Sequence, residues 1–159
     1  MGVAGCGKST VGAAVAKAVG ATYLDGDDLH PAENIAKMSA GQPLTDTDRA
    51  PWLALVGLTL RDHDGITLIG CSALKRSYRD TIRDAAGEPV CFLHLSGSRK
   101  VIESRMSQRT GHFMPVALLD SQFATFEGLQ PDEDGVEIDI DQPFERVVST
   151  AVSHLSQHR

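Results

Sequence analysis

The amino-terminal loop restricts this chain more than any other feature of the sequence. Gly2-Val-Ala-Gly-Cys-Gly-Lys-Ser9 matches the pattern G-x-x-x-x-G-K-[ST] at every fixed position. Glycines let the backbone turn successive N–H groups towards one point, where they form a nest for a phosphate group. The helix predicted to follow, Lys8–Val19, adds the positive end of its dipole. The loop therefore predicts a binding site for a nucleoside triphosphate.

Two side chains of the loop complete this chemistry. Lys8 can bridge the β- and γ-phosphates, and the Ser9 hydroxyl can coordinate Mg²⁺. Cys6, which lies between two glycines, is interpreted mainly as a small filler. The alternative is an oxidant-sensitive thiol, activated by the helix N-terminus and by Lys8.

Short β-rich runs alternate with helical patterns along the rest of the chain, which predicts an α/β fold with a parallel sheet. No repeat or linker interrupts this alternation, so residues 1–159 are expected to form a single domain. The predicted strands are Thr22–Asp25, Ile66–Cys71, Val90–Leu95 and Val136–Ile140. The predicted helices are Lys8–Val19, Pro31–Ala40, Pro51–Asp64, Ser77–Ala86, Ser98–Arg109 and Phe144–Gln157, with a loop at Thr110–Pro115.

One strand is largely missing from this pattern. A phosphate-binding loop should follow a buried strand of about five residues, yet only Met1 stands before Gly2. A translation start further upstream, a trimmed chain or a shortened strand would each account for this. We favour the upstream start as a hypothesis.

Composition excludes several classes of function. The formal net charge of −6 argues against broad binding to nucleic acid, because phosphates need a basic face. No apolar run approaches the roughly 18 residues of a membrane span, so no membrane partner is expected. The three cysteines have no metal-ligand spacing and predict reduced thiols in the cytoplasm.

The position of acidic residues narrows the class of phosphate-loop protein. The chain lacks the N-K-x-D segment that reads guanine in G-proteins, and the strand Ile66–Cys71 does not end in Asp. Small-molecule and nucleotide kinases remain, in which the second strand contributes an acidic residue. Asp25, Asp27 and Asp28 follow such a strand, and parallel strands converge at their carboxyl ends on one crevice. A solvated acidic turn is the alternative interpretation.

Several blocks of the sequence resemble the gluconokinase family. They are Asp25–Pro31, Asn34–Met38, Gly41–Leu53, Cys71–Asp80, Arg109–Pro115 and Asp139–Pro143, and the similarity runs from Met1 to about Val148. The resemblance implies an adenylate-kinase-like, three-layer fold, a small lid at about 105–127, and ATP-dependent phosphorylation of D-gluconate to 6-phosphogluconate. It also implies that homodimers are common. The segment Gln122–Pro131 departs from the family pattern, which puts the hinge of the lid in question.

Phosphoryl transfer depends on positioning and on charge neutralisation more than on covalent chemistry. Asp27 is predicted to orient or deprotonate the acceptor hydroxyl. Asp25 is predicted to hold Mg²⁺ together with Ser9, although the two carboxylates could exchange these roles. The predicted nucleotide-binding residues are Gly2, Gly5, Gly7, Lys8, Ser9, Thr10, Asp141 and Gln142.

Gluconate carries a carboxylate and five hydroxyls, so its pocket should combine cations with hydrogen-bonding groups. The predicted substrate-binding residues are Asp27, His30, Arg49, Lys75, Arg79 and His112. Lys75 and Arg79 are four residues apart, hence on one face of a helix. A guanidinium grips a carboxylate in bidentate fashion, which favours Arg49 or Arg79 as the anchor. Each cation could instead be a solvated surface charge. Trp52 is interpreted as core packing in preference to a substrate platform.

Arg105 and Arg109 are again four residues apart, on the helix that leads into the predicted lid. There they would meet charge that develops on the transferred group as the lid closes. His112 either touches the ligands or caps the lid. The predicted catalytic residues are therefore Lys8, Asp27, Arg105 and Arg109.

Two alternatives to gluconate phosphorylation stay open at this point. The same scaffold serves shikimate-type and nucleoside-monophosphate kinases. A nucleotide-binding protein without catalysis is the second alternative, suggested by the missing strand.

Overall fold

A computed structural model of the chain describes residues 1–108 and 116–157, with the side chains of 116 and 117 left aside. Four strands are present: β1 Thr22–Asp25, β2 Thr67–Gly70, β3 Phe92–Ser96 and β4 Gly135–Asp139. The helices are α1 Lys8–Val19, α2 Ala32–Ser39, α3 Asp46–Asp62, α4 Arg76–Ala86, α5 Arg99–Ser107, α6 Val116–Thr125 and α7 Phe144–Gln157, and a 3₁₀ turn spans Gly26–Leu29.

The strands pair in parallel, as predicted, but in two separate pairs. β1 lies beside β2 with Thr22 opposite Thr67. β3 lies beside β4 with Phe92 opposite Gly135. In the described ranges no strand joins β2 to β3.

The first two residues bridge the two pairs. The Met1 ammonium donates to the Leu93 carbonyl, and the Leu95 N–H donates to the Met1 carbonyl at 3.0 Å. The Gly2 N–H donates to the Ser72 carbonyl, 3.1 Å away. Met1 and Gly2 thus connect the two pairs directly before the phosphate loop, and within the described residues no strand precedes that loop.

Side chains alternate between the two faces of these strands and build two hydrophobic cores. Leu68 and Leu95 belong to the core shared with α1 and α7. Ile69 and Phe92 belong to the core shared with α3 and α4. Because successive residues of a strand point to opposite faces, the helices form outer layers on both sides of the strands. Three layers result, as predicted.

The start of α3 differs from the prediction. Pro51 was expected in the first turn, yet the helix begins at Asp46 and Pro51 lies inside it. Thr45 and Asp48 form a capping box that satisfies free N–H groups before Pro51 is reached. The N-cap Thr45, which lies six residues before Pro51, sets the boundary.

Across residues 1–108 and 116–157, none of the helices joins the length and the apolar character that a membrane span requires.

Candidate active site

The phosphate loop adopts a conformation that depends on its glycines. Gly2, Gly5 and Gly7 have φ angles of 140°, 80° and 98°, in the region that favours glycine. A β-carbon on Gly2 would lie 2.8 Å from the Leu95 carbonyl oxygen, so any side chain there would displace the loop from β3. The Lys8 ammonium donates to the carbonyls of Gly2 and Val3, at 3.0 Å each, and so lies over the loop.

An acidic turn faces this loop. The Ser9 hydroxyl donates to one Asp25 carboxylate oxygen at 3.3 Å, and the other Asp25 oxygen accepts from the Asp27 N–H at 3.1 Å. Gly26 permits the turn, because a β-carbon there would be 2.6 Å from the Gly70 carbonyl oxygen. Ser9 and Asp25 together present hard oxygen donors, which are the ligands that Mg²⁺ prefers. These two side chains therefore fit the metal site predicted for them.

Asp27 stands at the rim of the same turn, with an exposed side chain. Desolvation raises the pKa of Asp27 above its usual value, and the nearby Asp25 carboxylate raises it further. Lys8 and His30 act on this pKa in the opposite direction. Asp27 thus lies within electrostatic reach of both Lys8 in the phosphate loop and His30.

His30 is held in place by two neighbours. Its ring stacks on Trp52, with ring centroids 4.1 Å apart, and its Nδ1 lies 3.3 Å from the Asn34 amide nitrogen. Burial lowers the pKa of His30, so the neutral imidazole is favoured. The Trp52 indole is itself buried and donates to the Gly26 carbonyl at 2.7 Å. Trp52 is core packing, as interpreted, and it also supports His30 from behind.

Arg49, Lys75 and Tyr78 form a second group of polar side chains. The Arg49 guanidinium and the Lys75 ammonium lie over the Tyr78 ring, 5.8 and 5.3 Å from its centroid. The Lys75 ammonium donates to Asp46 at 2.8 Å, and the Tyr78 hydroxyl donates to the other oxygen of the same carboxylate. These hydrogen bonds, Lys75 first, lower the pKa of Asp46. Arg49, Lys75, Tyr78 and Asp46 are called the cleft cluster below.

The structure contradicts the substrate-anchor role predicted for Arg79. Its side chain has no exposed surface, and its guanidinium forms a salt bridge with Glu133, which is also fully buried. The remaining guanidinium N–H groups donate to main-chain carbonyls, including those of Glu127 and Gly128. Lys75 does not share its face, because Lys75 is the N-cap of α4 and lies outside the helix. Arg79, Glu133 and Arg83, which also contacts Glu133, are called the buried cluster below.

The residues predicted for the lid and the adenine region are placed only in part. Arg105 lies near the phosphate loop, since a β-carbon on Gly7 would be 3.7 Å from its Nη1. Arg105 also donates to the Ile140 carbonyl, just before Asp141 and Gln142. Arg109 and His112 lie outside the described residues. Thr10 is exposed in the first turn of α1.

Three residues of the site were not assigned a role from sequence: Asn34, Asp46 and Tyr78. Each lies in a block that carries the family resemblance. Asn34 was detectable from its position four residues after His30. The contact between Asp46 and Tyr78 joins residues 32 positions apart, and no local pattern indicates it.

Comparison with known proteins decides the family. A family model described as "Shikimate kinase" matches residues 4–125. The thermosensitive gluconokinase of Escherichia coli (strain K12) is 48% identical, over 100% of this chain and 88% of that protein. The thermoresistant gluconokinase of the same organism is 45% identical, over 96% of this chain and 89% of that protein. The chain belongs to the shikimate kinase family, and within it to the gluconokinases.

A solved structure of the gluconokinase family has the same fold. The crystal structure of a gluconokinase from Sinorhizobium meliloti 1021 superposes with a TM-score of 0.87 and is 48% identical. The alignment covers 99% of this chain and 89% of that one. The expected three-layer phosphate-loop kinase fold is therefore confirmed. The chain is a kinase with ATP as its phosphoryl donor, and nothing in these comparisons favours an inactive nucleotide-binding protein.

Proposed function

We propose that the protein transfers the γ-phosphoryl group of ATP to D-gluconate and forms 6-phospho-D-gluconate. The observation that carries this proposal is the series of neighbouring groups Asp27, His30 and Arg49, which connects the acidic turn at the phosphate loop to the cleft cluster. Asp27 lies next to His30, and Arg49 is close enough to His30 to lower its pKa. The Asp27 carboxylate can accept a proton, and the cations and the phenol of the cleft cluster lie beyond it. Together these groups suit a substrate that carries both hydroxyls and a carboxylate.

Asp27 serves as the base in this proposal. The acceptor hydroxyl oxygen forms a bond to the γ-phosphorus, the bond from that phosphorus to the bridging oxygen of ADP breaks, and the hydroxyl proton passes to Asp27. The raised pKa of Asp27 brings the carboxylate closer to the basicity that this transfer needs. Lys8 would neutralise charge on the phosphates.

Arg49 is the proposed anchor for the gluconate carboxylate. In the cleft cluster, Lys75 already binds Asp46, whereas Arg49 presents a guanidinium above the Tyr78 ring. A guanidinium can bind both carboxylate oxygens at once. His30, held by Asn34 and Trp52, would then bind a hydroxyl near the transferred group.

Ser9 and Asp25 would hold Mg²⁺, which neutralises phosphate charge when it is bound. Arg105 would meet the transferred group from the lid at about 105–127, together with Arg109 and His112. Asp141 and Gln142 would border the adenine. A single domain over residues 1–159, a homodimer and a cytoplasmic location remain predictions.

The test is a coupled assay of ADP release with gluconate, shikimate and the common nucleoside monophosphates as parallel acceptors. We expect stimulation by gluconate alone. Lys8→Ala should abolish turnover, and Asp27→Asn should slow transfer about 10²–10⁴-fold while ATP still binds. Asp28→Asn, which alters an exposed neighbouring carboxylate, is the matched control and should retain activity. Stimulation by shikimate and not by gluconate would overturn the proposal.

A further inference from the structure

A thiol, a carboxylate and an imidazole come together beside the β3–β4 pair. They belong to Cys91, Asp134 and His154, and one ligand atom of each lies within 4.8 Å of those of the other two. Cys91 and His154 are half-buried, whereas Asp134 is exposed. These three side chains are called the thiol cluster below.

The pairing of β3 with β4 brings two of these side chains together. Phe92 lies opposite Gly135, and the Phe92 N–H donates to the Asp134 carbonyl at 3.0 Å. Cys91 and Asp134 directly precede the two strands, so the same register sets them side by side. Because side chains alternate along a strand, Cys91 shares the face of Leu93, which packs against the core formed with α1 and α7. Both side chains therefore lie on the face of the sheet that α7 covers.

The periodicity of α7 brings the third side chain to the same place. The buried residues of this helix are Val147 and Ala151, which face the sheet. His154 follows Ala151 by three residues and so lies on the same side of the helix, one turn further on. Backbone pairing and core packing thus fix all three positions. The three residues are far apart in the chain, which is why the sequence shows no metal-ligand spacing.

The types of ligand atom indicate which ion the thiol cluster can bind. Sulfur from cysteine, nitrogen from histidine and oxygen from aspartate are the ligands of Zn²⁺ in proteins, with bonds of about 2.0–2.3 Å. A tetrahedral centre with such bonds holds its ligand atoms roughly 3.5 Å apart. Side chains whose ligand atoms already lie within 4.8 Å of one another need to move by little more than about 1 Å to reach this geometry. Mg²⁺ prefers oxygen ligands, so the thiol cluster discriminates against the ion expected at Ser9 and Asp25.

We propose that the thiol cluster is a Zn²⁺ site with three protein ligands and a water molecule in the fourth position. Cys91 binds the ion as a thiolate, and its proton passes to solvent. The bound ion joins the beginnings of β3 and β4 to the carboxyl-terminal half of α7. The site is separate from phosphoryl transfer, because Cys91 lies four residues, or roughly 13 Å of extended chain, before the Leu95 carbonyl that borders the phosphate loop.

The test titrates Zn²⁺ into the untagged, metal-free protein in excess Mg²⁺, with a chelating dye as competitor. We expect one Zn²⁺ per chain and a higher unfolding temperature when it is bound. Cys91→Ala, Asp134→Asn and His154→Ala should each weaken binding at least about 100-fold, more than the loss of a group that only supports a ligand. Cys71→Ala removes a thiol in the other core, and Ser153→Ala alters the exposed neighbour of His154. Both are matched controls and should bind Zn²⁺ like the parent.

Co²⁺, which binds the same kinds of ligand, gives a second measurement that does not depend on the folding of the ligand variants. A thiolate bound to Co²⁺ produces a charge-transfer absorption band, which we expect in the parent and in Cys71→Ala and not in Cys91→Ala. A parent that binds no Zn²⁺ in competition with the dye, or ligand variants that bind it as tightly as the parent, would overturn the proposal. These measurements need no substrate, so their outcome is independent of the proposal that gluconate is the acceptor.

Discussion

The cleft cluster and the buried cluster contain similar groups, yet they perform different tasks. In the buried cluster, all five Arg79 N–H donors have acceptors, and the side chain of Glu133 is fully enclosed. In the cleft cluster, the Arg49 guanidinium and the Lys75 ammonium lie over the Tyr78 ring, and both side chains keep part of their surface exposed. A saturated cation stabilises the fold, whereas a cation with remaining donors can bind a substrate.

The largest effect should come from breaking the buried cluster. Arg79→Ala leaves Glu133 buried without its partner, so we expect a loss of about 3–5 kcal/mol in the free energy of unfolding, measured by urea titration. The KM for gluconate of the molecules that remain folded should stay unchanged. Arg76→Ala is the matched control, because Arg76 forms more exposed ion pairs with Asp80 and Asp132 and should cost no more than about 1 kcal/mol.

Low pH should destabilise the protein through the buried cluster. The hydrogen bond from Arg79, more than any other contact, holds the pKa of Glu133 at about 2, below its ordinary value of 4.5. The stabilisation is therefore present above pH 4.5 and is lost as the pH falls from 4.5 towards 2, by on the order of 3 kcal/mol. Urea titrations across this range check it. If Glu133→Gln shows the same acid loss as the parent, Glu133 is not the responsible group.

Replacing Arg49 should change substrate binding and leave stability unchanged, the reverse of the result expected for Arg79→Ala. Arg49→Ala removes the proposed charge-assisted contact to the gluconate carboxylate, so the KM for gluconate should rise on the order of 10- to 100-fold, equivalent to about 1.5–3 kcal/mol. The unfolding temperature should stay within about one degree. Arg61→Ala on the same helix, which removes an exposed pair with Asp62, is the control and should change neither quantity. A KM equal to that of the parent would remove Arg49 from the site.

The smallest effect should come from the residue that links core and cleft. Trp52→Phe keeps an aromatic ring beneath His30 but loses the hydrogen bond to Gly26. We expect a cost of about 1 kcal/mol in stability and a rise in the KM for gluconate of less than about tenfold. Denaturant titration and initial-rate measurements separate these two quantities. A variant that loses all activity while staying folded would show that the indole itself contacts substrate.

Most of the fold was predictable from local patterns. The helices Lys8–Val19 and Phe144–Gln157 and the strand Thr22–Asp25 have their predicted bounds, because apolar periodicity and the flanking residues define them locally. The helix α6, Val116–Thr125, was not predicted. The start of α3 was misplaced because Pro51 was given more weight than the capping box.

The site was predictable on the side of the phosphate loop and less so on the side of the acceptor. The contact of Ser9 with Asp25 follows from the loop motif and from parallel strands that end at one edge. The role of Arg79 was wrong because its acceptor, Glu133, lies 54 residues away in the chain. Spacing along one helix cannot indicate which of its cations meets such a distant carboxylate.

The stack of His30 on Trp52 has a further consequence for experiments in solution. Trp52 is the only tryptophan of the chain, and its ring planes lie 17° from those of the imidazole. Fluorescence excited at wavelengths that the two tyrosines do not absorb therefore originates from one fluorophore in contact with a proposed substrate ligand. Any ligand that moves or protonates that imidazole should change the emission, so acceptor binding can be followed optically without a label and without turnover.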